Sequence, residues 1–305
     1  MILIIDFGSQ YNQLIARRVR EHHVYCQIEP PDIPLAVIRD MHPEGIILSG
    51  GPASIYEKNS PRVDTGIFTL GIPVLGICYG LQFMVHALGG EVIAAAKREY
   101  GFAELDVLHP GDVLAGVEKA TRCWMSHGDA IGGLPAGFRA TAATPNTPVA
   151  AAEDARRRFY GLQFHPEVVH TPEGRKILGN FLFVVCGCKK DWTMKSFARD
   201  AVAEIREQVG NGRVILGLSG GVDSSVAAVL LHRAVGPRLT CVFVDNGVLR
   251  HGEAKKVREL FRNHFHVNLR FVRAGRIFLD RLKGVEAPEK KRKIIGRTFI
   301  EIFDG

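Results

Sequence analysis

Apolar positions follow two rhythms along the chain. Short unbroken runs, MILII at 1–5, VYCQI at 24–28, GIIL at 45–48 and PVLGI at 73–77, read as buried strands. Between the first two runs, Tyr11, Leu14, Ile15, Arg18 and Val19 recur near a period of 3.6, so 10–21 reads as a helix. Strands alternating with helices predict an α/β domain with a largely parallel sheet. From 101 to 164 the pieces shorten and turns multiply, as in GFAELDVL, RCWMS, FRATAAT and RFYGLQF. These read as added β structure on one side of the sheet, closed by a helix over 173–185.

A second series starts after CGCKKDW at 186–192. A helix over 195–209 carries Phe197, Val202, Ile205 and Val209 on one face. Then come a strand at 214–218, a loop at 219–225, a helix at 224–234, a strand at 239–244, a helix at 253–265 and a strand at 269–272. A charged helical pattern fills 288–303. The expected fold class is α/β with two domains, 1–190 and 191–305, each a largely parallel sheet flanked by helices. The second, at 115 residues, is short for such a unit and is expected to be incomplete.

Composition narrows the classes. With 46% hydrophobic and 23% charged residues the chain is neither disordered nor collagen-like. No apolar run approaches the ~18 residues of a membrane span. The start, MILIIDFGSQ, lacks the basic and long apolar regions of a secretory signal. Six cysteines are too few for a disulfide scaffold. Cys186 and Cys188 form a CxC with no second metal half-site, and read as ordinary thiols of a reducing compartment, so a cytoplasmic location is expected. Charge separates the halves. Residues 1–190 hold 18 basic and 19 acidic side chains; residues 191–305 hold 21 and 13. The basic second part suggests a polyanionic ligand, with a solvated basic face as the plain alternative.

Candidate chemistry concentrates in three segments of the first domain. PVLGICYGLQ at 73–82 runs a strand into Gly76-Ile-Cys78-Tyr-Gly80 and then a helix, the G-x-nucleophile-x-G elbow with cysteine as nucleophile. The glycines allow the sharp turn, and the sulfur falls near a helix N-terminus, where the dipole favours thiolate. YGLQFHPE at 160–167 places His165 at a strand end and Glu167 two residues on, a base and its orienter. LSGGP at 48–52 could aim backbone N–H groups at an oxyanion, those of Gly51 and Tyr79 being the candidates. A buried core cysteine, a structural histidine and a plain turn are the bland readings of these segments.

SGGP, GICYGLQ and QFHPE in this order resemble the class I glutamine amidotransferases, over essentially all of 1–190. The resemblance implies a triad glutaminase fold with Cys78, His165 and Glu167 as the triad. It implies that Gln82 contacts the glutamine side chain. It also implies that WMSHGD at 124–129 lines the amino-acid end through Ser126, His127 and Asp129.

The second domain offers another glycine turn. Ser219-Gly220-Gly221-Val222-Asp223-Ser224-Ser225 lies between strand and helix and supplies backbone N–H groups, hydroxyls and a helix N-terminus, the parts of a phosphate cradle. The lysine and spacing of a Walker A loop are missing. The string resembles the PP-loop of the ATP pyrophosphatases, an adenine-nucleotide α-hydrolase-like fold. It implies ATP as substrate, Val244 and Asp245 beside the nucleotide, and Mg²⁺ served by Asp223, for which helix capping is the bland role. Arg250 follows in VLRHGEA; the run Lys283, Lys290, Lys291, Arg292 and Lys293 reads as a solvated face, but its stretch resembles a family segment near the nucleotide, which implies one or two of its lysines as phosphate contacts.

A triad glutaminase followed by a PP-loop unit, with DFGSQY, VDNGVLR and PEKKRKIIG, resembles the glutamine-hydrolysing GMP synthetases. The implied substrates are glutamine, ATP and XMP, with no nucleic acid and no membrane. That family is usually homodimeric through a C-terminal domain which, like its lid segment, has no counterpart before Gly305. The chain is therefore expected to be a truncated form. The alternative is a chain acting only as a glutaminase or as a nucleotide-binding or regulatory module. A tRNA-modifying PP-loop protein would fit the basic second part but needs no Cys78, His165 or Glu167.

Overall fold

The computed structural model describes residues 1–250, 252–261, 265 and 267–304, without the side chains of Ala96, Lys97 and Asp304. The chain forms two compact units, Met1–Thr193 and Met194–Gly305.

The first unit is built on one nine-stranded sheet. Its elements begin with β1 (Ile2–Ile5), α1 (Asn12–Glu21), β2 (Cys26–Glu29), α2 (Leu35–Met41), β3 (Gly45–Leu48), β4 (Val74–Ile77) and α3 (Tyr79–Ala87). They continue with β5 (Glu91–Val107), β6 (Ala120–Gly133), β7 (Arg139–Ala143), β8 (Ala151–Asp154), β9 (Phe159–Leu162) and α4 (Gly174–Asn180). A single π-helical turn, Phe181–Val185, extends α4. The sheet order is β2-β1-β3-β4-β9-β8-β7-β5-β6. The first five of these strands run parallel, and β8, β7, β5 and β6 add an antiparallel flank on one side.

The unbroken apolar runs follow from burial on both faces. In β1, Ile2 and Ile4 pack with Ile15, Ala16 and Val19 of α1 and Ile177 and Leu178 of α4. Leu3 and Ile5 face the other way, onto Ile38 of α2 and Leu81 and Val85 of α3. Alternate residues of one strand thus serve two cores.

The strand expected from 101 begins ten residues earlier, at Glu91, because Glu91, Val92, Ile93 and Ala94 already pair with β6. The sequence pattern also gives no sign of α2, whose seven residues are too few to show a clear period.

The second unit contains α5 (Met194–Val209), β10 (Val214–Leu218), α6 (Val222–Val235), β11 (Leu239–Asp245), α7 (Glu253–Glu259), β12 (Asn268–Arg273), α8 (Gly275–Leu282) and α9 (Pro288–Asp304). Its three strands are all parallel, in the order β10-β11-β12. One core gathers Leu218, Ala228, Cys241, Phe243, Val257 and Phe261. A smaller one joins Val244 and Phe278 to Ile295, Phe299 and Ile302 of α9. Like α2, the eight-residue α8 is too brief to be read from its period. The expected helix over 253–265 ends at Glu259 as an α-helix, and 262–264 lie outside the described residues. No helix among the described residues is long and apolar enough to cross a membrane.

Candidate active site

Cys78 sits between β4 and α3 with φ 50° and ψ −106°, left-handed backbone that a side-chain-bearing residue adopts only under constraint. The constraint is visible in the flanking glycines. A Cβ on Gly76 would lie 2.6 Å from the Leu81 nitrogen, and one on Gly80 would strike the Leu48 carbonyl, its carbon 2.7 Å away. Only hydrogen fits at either place, so strand and helix close onto each other and the cysteine between them is pushed into the turn. Its N–H donates to the Leu162 carbonyl at 2.7 Å.

That bond also sets the partner. β4 and β9 pair in parallel with Ile77 opposite Leu162, so the residues that follow both strands emerge side by side. His165 is 4% exposed and Glu167 fully buried. The imidazole Nδ1 lies 2.7 Å from Glu167 Oε1. Burial alone would lower the His165 pKa, but the hydrogen bonds to Cys78 and Glu167 and their charge overcome it and raise the value to about 10. The ring is held from its backbone too. His165 N–H donates to the Trp124 carbonyl, and its own carbonyl accepts from Thr171 Oγ1 at 2.7 Å. Tyr11 meets it edge to face with centroids 5.2 Å apart.

Cys78 and His165 open into a cavity of about 610 Å³ that Gly51, Gln82, Ser126, His127 and Asp129 also line. A Cβ on Gly50 would stand 3.1 Å from the His165 ring and 3.7 Å from Cys78 Cβ, which places the SGGP turn against both groups. Tyr79 is the first residue of α3, where a helical N–H has no intrahelical partner. Its ring is buried away from the cavity, with the hydroxyl donating to the Pro61 carbonyl. Glu167 lies behind His165 rather than on the cavity wall. Thus the residues expected from the first domain converge on one place.

Gln82 does so through its amide: Nε2 donates to the Asp129 carbonyl at 2.9 Å and to Gln163 Oε1 at 3.4 Å. The sequence pattern does not single out Gln163, whose Nε2 donates to Cys78 Sγ at 3.7 Å. Nor does it single out the cavity-lining Ser9, Gln10, Glu57 and Arg98. The DFGSQY turn is the only signal for two of them. Arg98 together with Asp129 and Glu57 gives the cavity charges of both signs, suited to a zwitterionic amino acid.

In the second unit α6 starts at Val222, not Ser224, so Asp223, Ser224 and Ser225 belong to the first helical turn. Gly220 has φ +83°, a conformation glycine adopts freely. The serines bond within the loop: Ser219 N–H donates to Ser224 Oγ at 3.3 Å, Gly221 N–H to Ser219 Oγ at 3.3 Å, and Ser225 Oγ to the Gly221 carbonyl at 2.7 Å. Asp223 is exposed. Ser219 and Val244 line a second, 320 Å³ cavity with Phe243, Asn246, Phe299 and Phe303. Asp245 does not; its carboxylate accepts from Gly247 N–H at 3.2 Å. Arg250, Lys283, Lys290, Lys291, Arg292 and Lys293 are not drawn into either cavity, and Arg292 pairs with Glu289.

The family model described as glutamine amidotransferase class-I matches residues 3–185, more than half of the chain. The chain belongs to that family. As a class-I amidotransferase it carries a further match, over 194–266, to the family model described as NAD synthase. Across 99% of its length it is 54% identical to a GMP synthase [glutamine-hydrolyzing] of Carboxydothermus hydrogenoformans and to another of Neisseria meningitidis. It spans 60% and 58% of their lengths. Among solved structures, one from Thermoplasma acidophilum, described as part of a GMP synthase, matches 61% of this amidotransferase and 93% of its own chain. The two are 32% identical, with a TM-score of 0.57.

Proposed function

We propose that the chain hydrolyses glutamine at Cys78 and uses ATP in its second unit to activate XMP for amination to GMP. The observation that carries the first half is the strained Cys78 beside the buried His165–Glu167 pair, with Cys78 and His165 opening on a cavity that has room for an amino acid. Similarity to glutamine-hydrolysing GMP synthases over nearly the whole chain supports the second half.

Cys78 Sγ attacks the glutamine side-chain amide carbon. The N–H groups of Gly51 and Tyr79 donate to the developing oxyanion. His165, held as imidazolium by Glu167, gives its proton to the departing ammonia. The neutral ring then takes a proton from water, which attacks the thioester and releases glutamate. Asp129, Ser126 and His127 bound the amino-acid end, and Gln82 orients the side-chain amide.

In the second unit, 194–305 acts as an ATP pyrophosphatase domain. Its loop 219–225 takes the phosphates on N–H groups and serine hydroxyls at the start of α6. The apolar cavity beside Ser219 and Val244 takes the base. Asp223, exposed in the first turn of the helix, would hold Mg²⁺, a hard cation that takes carboxylate oxygens. When bound, that ion would supply charge neutralisation on the triphosphate. Adenylylation of the XMP C2 oxygen lets ammonia displace AMP, giving GMP, AMP and pyrophosphate.

The test is glutamate release from glutamine, with and without ATP and XMP, by wild type and Cys78→Ala. Release that vanishes in the variant and rises with ATP plus XMP supports both halves. Release without stimulation leaves a glutaminase alone, and no release removes the reading.

A further inference from the structure

Glu99 lies on β5 and is 8% exposed. A buried carboxylate is costly unless its oxygens are satisfied. Here they are. Thr144 Oγ1 donates at 3.2 Å, Asn146 Nδ2 at 3.0 Å and Thr147 Oγ1 at 2.7 Å. All three donors come from the turn after β7. The fourth neighbour is His127 Nε2, 3.6 Å from Oε2. The charge is felt nearby: burial together with Glu99 pushes the Cys123 thiol up to about 12.

The carboxylate stands where the β5–β6 ladder is broken. Ala94 pairs with Asp129 and Glu99 with His127, so four residues of β5 bulge opposite Gly128 alone. Backbone pairing with β5 thus lapses at Gly128, between His127 and Asp129 on the cavity wall. Side chains complete the task. His127 Nδ1 lies 2.9 Å from the Asp129 carbonyl, which can only accept, so that nitrogen carries the hydrogen. The same carbonyl accepts from Gln82, which bonds Gln163, which reaches the Cys78 sulfur. His127 Nε2, left to accept, has the Thr147 hydroxyl at 3.4 Å, so a chain of polar contacts runs from Glu99 and its turn, through Thr147 and His127, to the nucleophile.

We infer that Glu99 is a positioning residue for glutamine: by anchoring the 144–147 turn, and with it the Thr147 hydroxyl beside His127 Nε2, it holds the 126–129 wall in place where the β5 bulge interrupts the pairing. The inference rests on the glutaminase reading of this cavity. Its effect falls on substrate binding more than on the thiol, because Glu99 lies at the end of the chain remote from Cys78.

The test combines glutamate-release kinetics with alkylation of Cys78 by iodoacetamide, with and without protecting glutamate, on wild type, Glu99→Gln and Thr147→Val. Glu99→Gln keeps the shape but sets an amide hydrogen against three donors. It is expected to raise KM for glutamine about tenfold with kcat within about threefold. The protecting glutamate concentration should rise in parallel while the unprotected alkylation rate stays as in wild type. Thr147→Val, which removes one of the three donors, should shift KM and protection the same way and by less. An unchanged KM in a folded Glu99→Gln overturns the inference, as does a joint fall of kcat, protection and alkylation, which would mark a structural role only. A wild type that neither releases glutamate nor is protected by it would remove the glutaminase reading instead.

Discussion

Two turns in this molecule share a plan and differ in how they are held. Both run from a parallel strand through glycines into a helix N-terminus, at 76–80 in the first unit and at 219–225 in the second. At the first, the glycines are pressed against backbone atoms, the turn residue is forced to a positive φ, and the side chains are buried and bonded to distant elements. At the second, a Cβ on Gly221 would meet only Ser219 Oγ at 3.3 Å, and the hydroxyls bond to their own loop. A nucleophile must be placed before substrate arrives, so rigidity is built into the fold. A cradle for phosphates needs reachable N–H groups, and local bonds that a ligand can exchange suffice.

The sharpest break in the comparison is functional. Cys78→Ala should lower glutamate release by about 10⁴-fold or more, as loss of a covalent nucleophile does. Asp223→Asn, measured without nucleotide, should leave release as in wild type.

The next is mechanical. Gly80→Ala should cost about 3 kcal/mol or more in denaturant unfolding, because the new methyl meets the Leu48 backbone and not a movable side chain. Gly221→Ala should stay within about 1 kcal/mol of wild type, since the site is open. Equal costs at the two turns would erase the contrast.

Glu167→Gln should reduce kcat/KM about a hundredfold while leaving the fold intact, by removing the charge that holds the His165 imidazolium. A further effect is on stability against pH. Folding raises the His165 pKa from 6.5 to about 10, so its contribution is full below about pH 6.5 and is lost as pH rises toward 10. Thermal melts of wild type should fall over that window more steeply than those of His165→Gln.

Much of this was legible because it is local. The buried strands β1, β3 and β4 announced themselves as apolar runs, and the elbow and QFHPE carry their chemistry within a few residues. Gln163 and Glu99 were not legible. Gln163 is one polar residue in a strand-like run, and only the pairing of β4 with β9 brings its amide to the sulfur. Glu99 sits in KREY beside Lys97 and Arg98, and its partners Thr144, Asn146 and Thr147 lie 45–48 residues away. The start of α6 escaped for a different reason: the glycines and serines of 219–225 favour turns, which hides a helix that begins at Val222.

The register of Ile77 against Leu162 has a consequence for how this architecture can change. Sulfur and imidazole leave adjacent strands, whose spacing of about 4.8 Å is common to every sheet. Their separation is gauged by that lattice and is indifferent to the contour length of the excursion between them. Surface turns along the excursion can therefore lengthen or shorten, and acquire new surfaces, while the reacting pair stays in calibration. An inserted residue within β9 itself would be another matter, since it would turn His165 to the opposite side of the sheet.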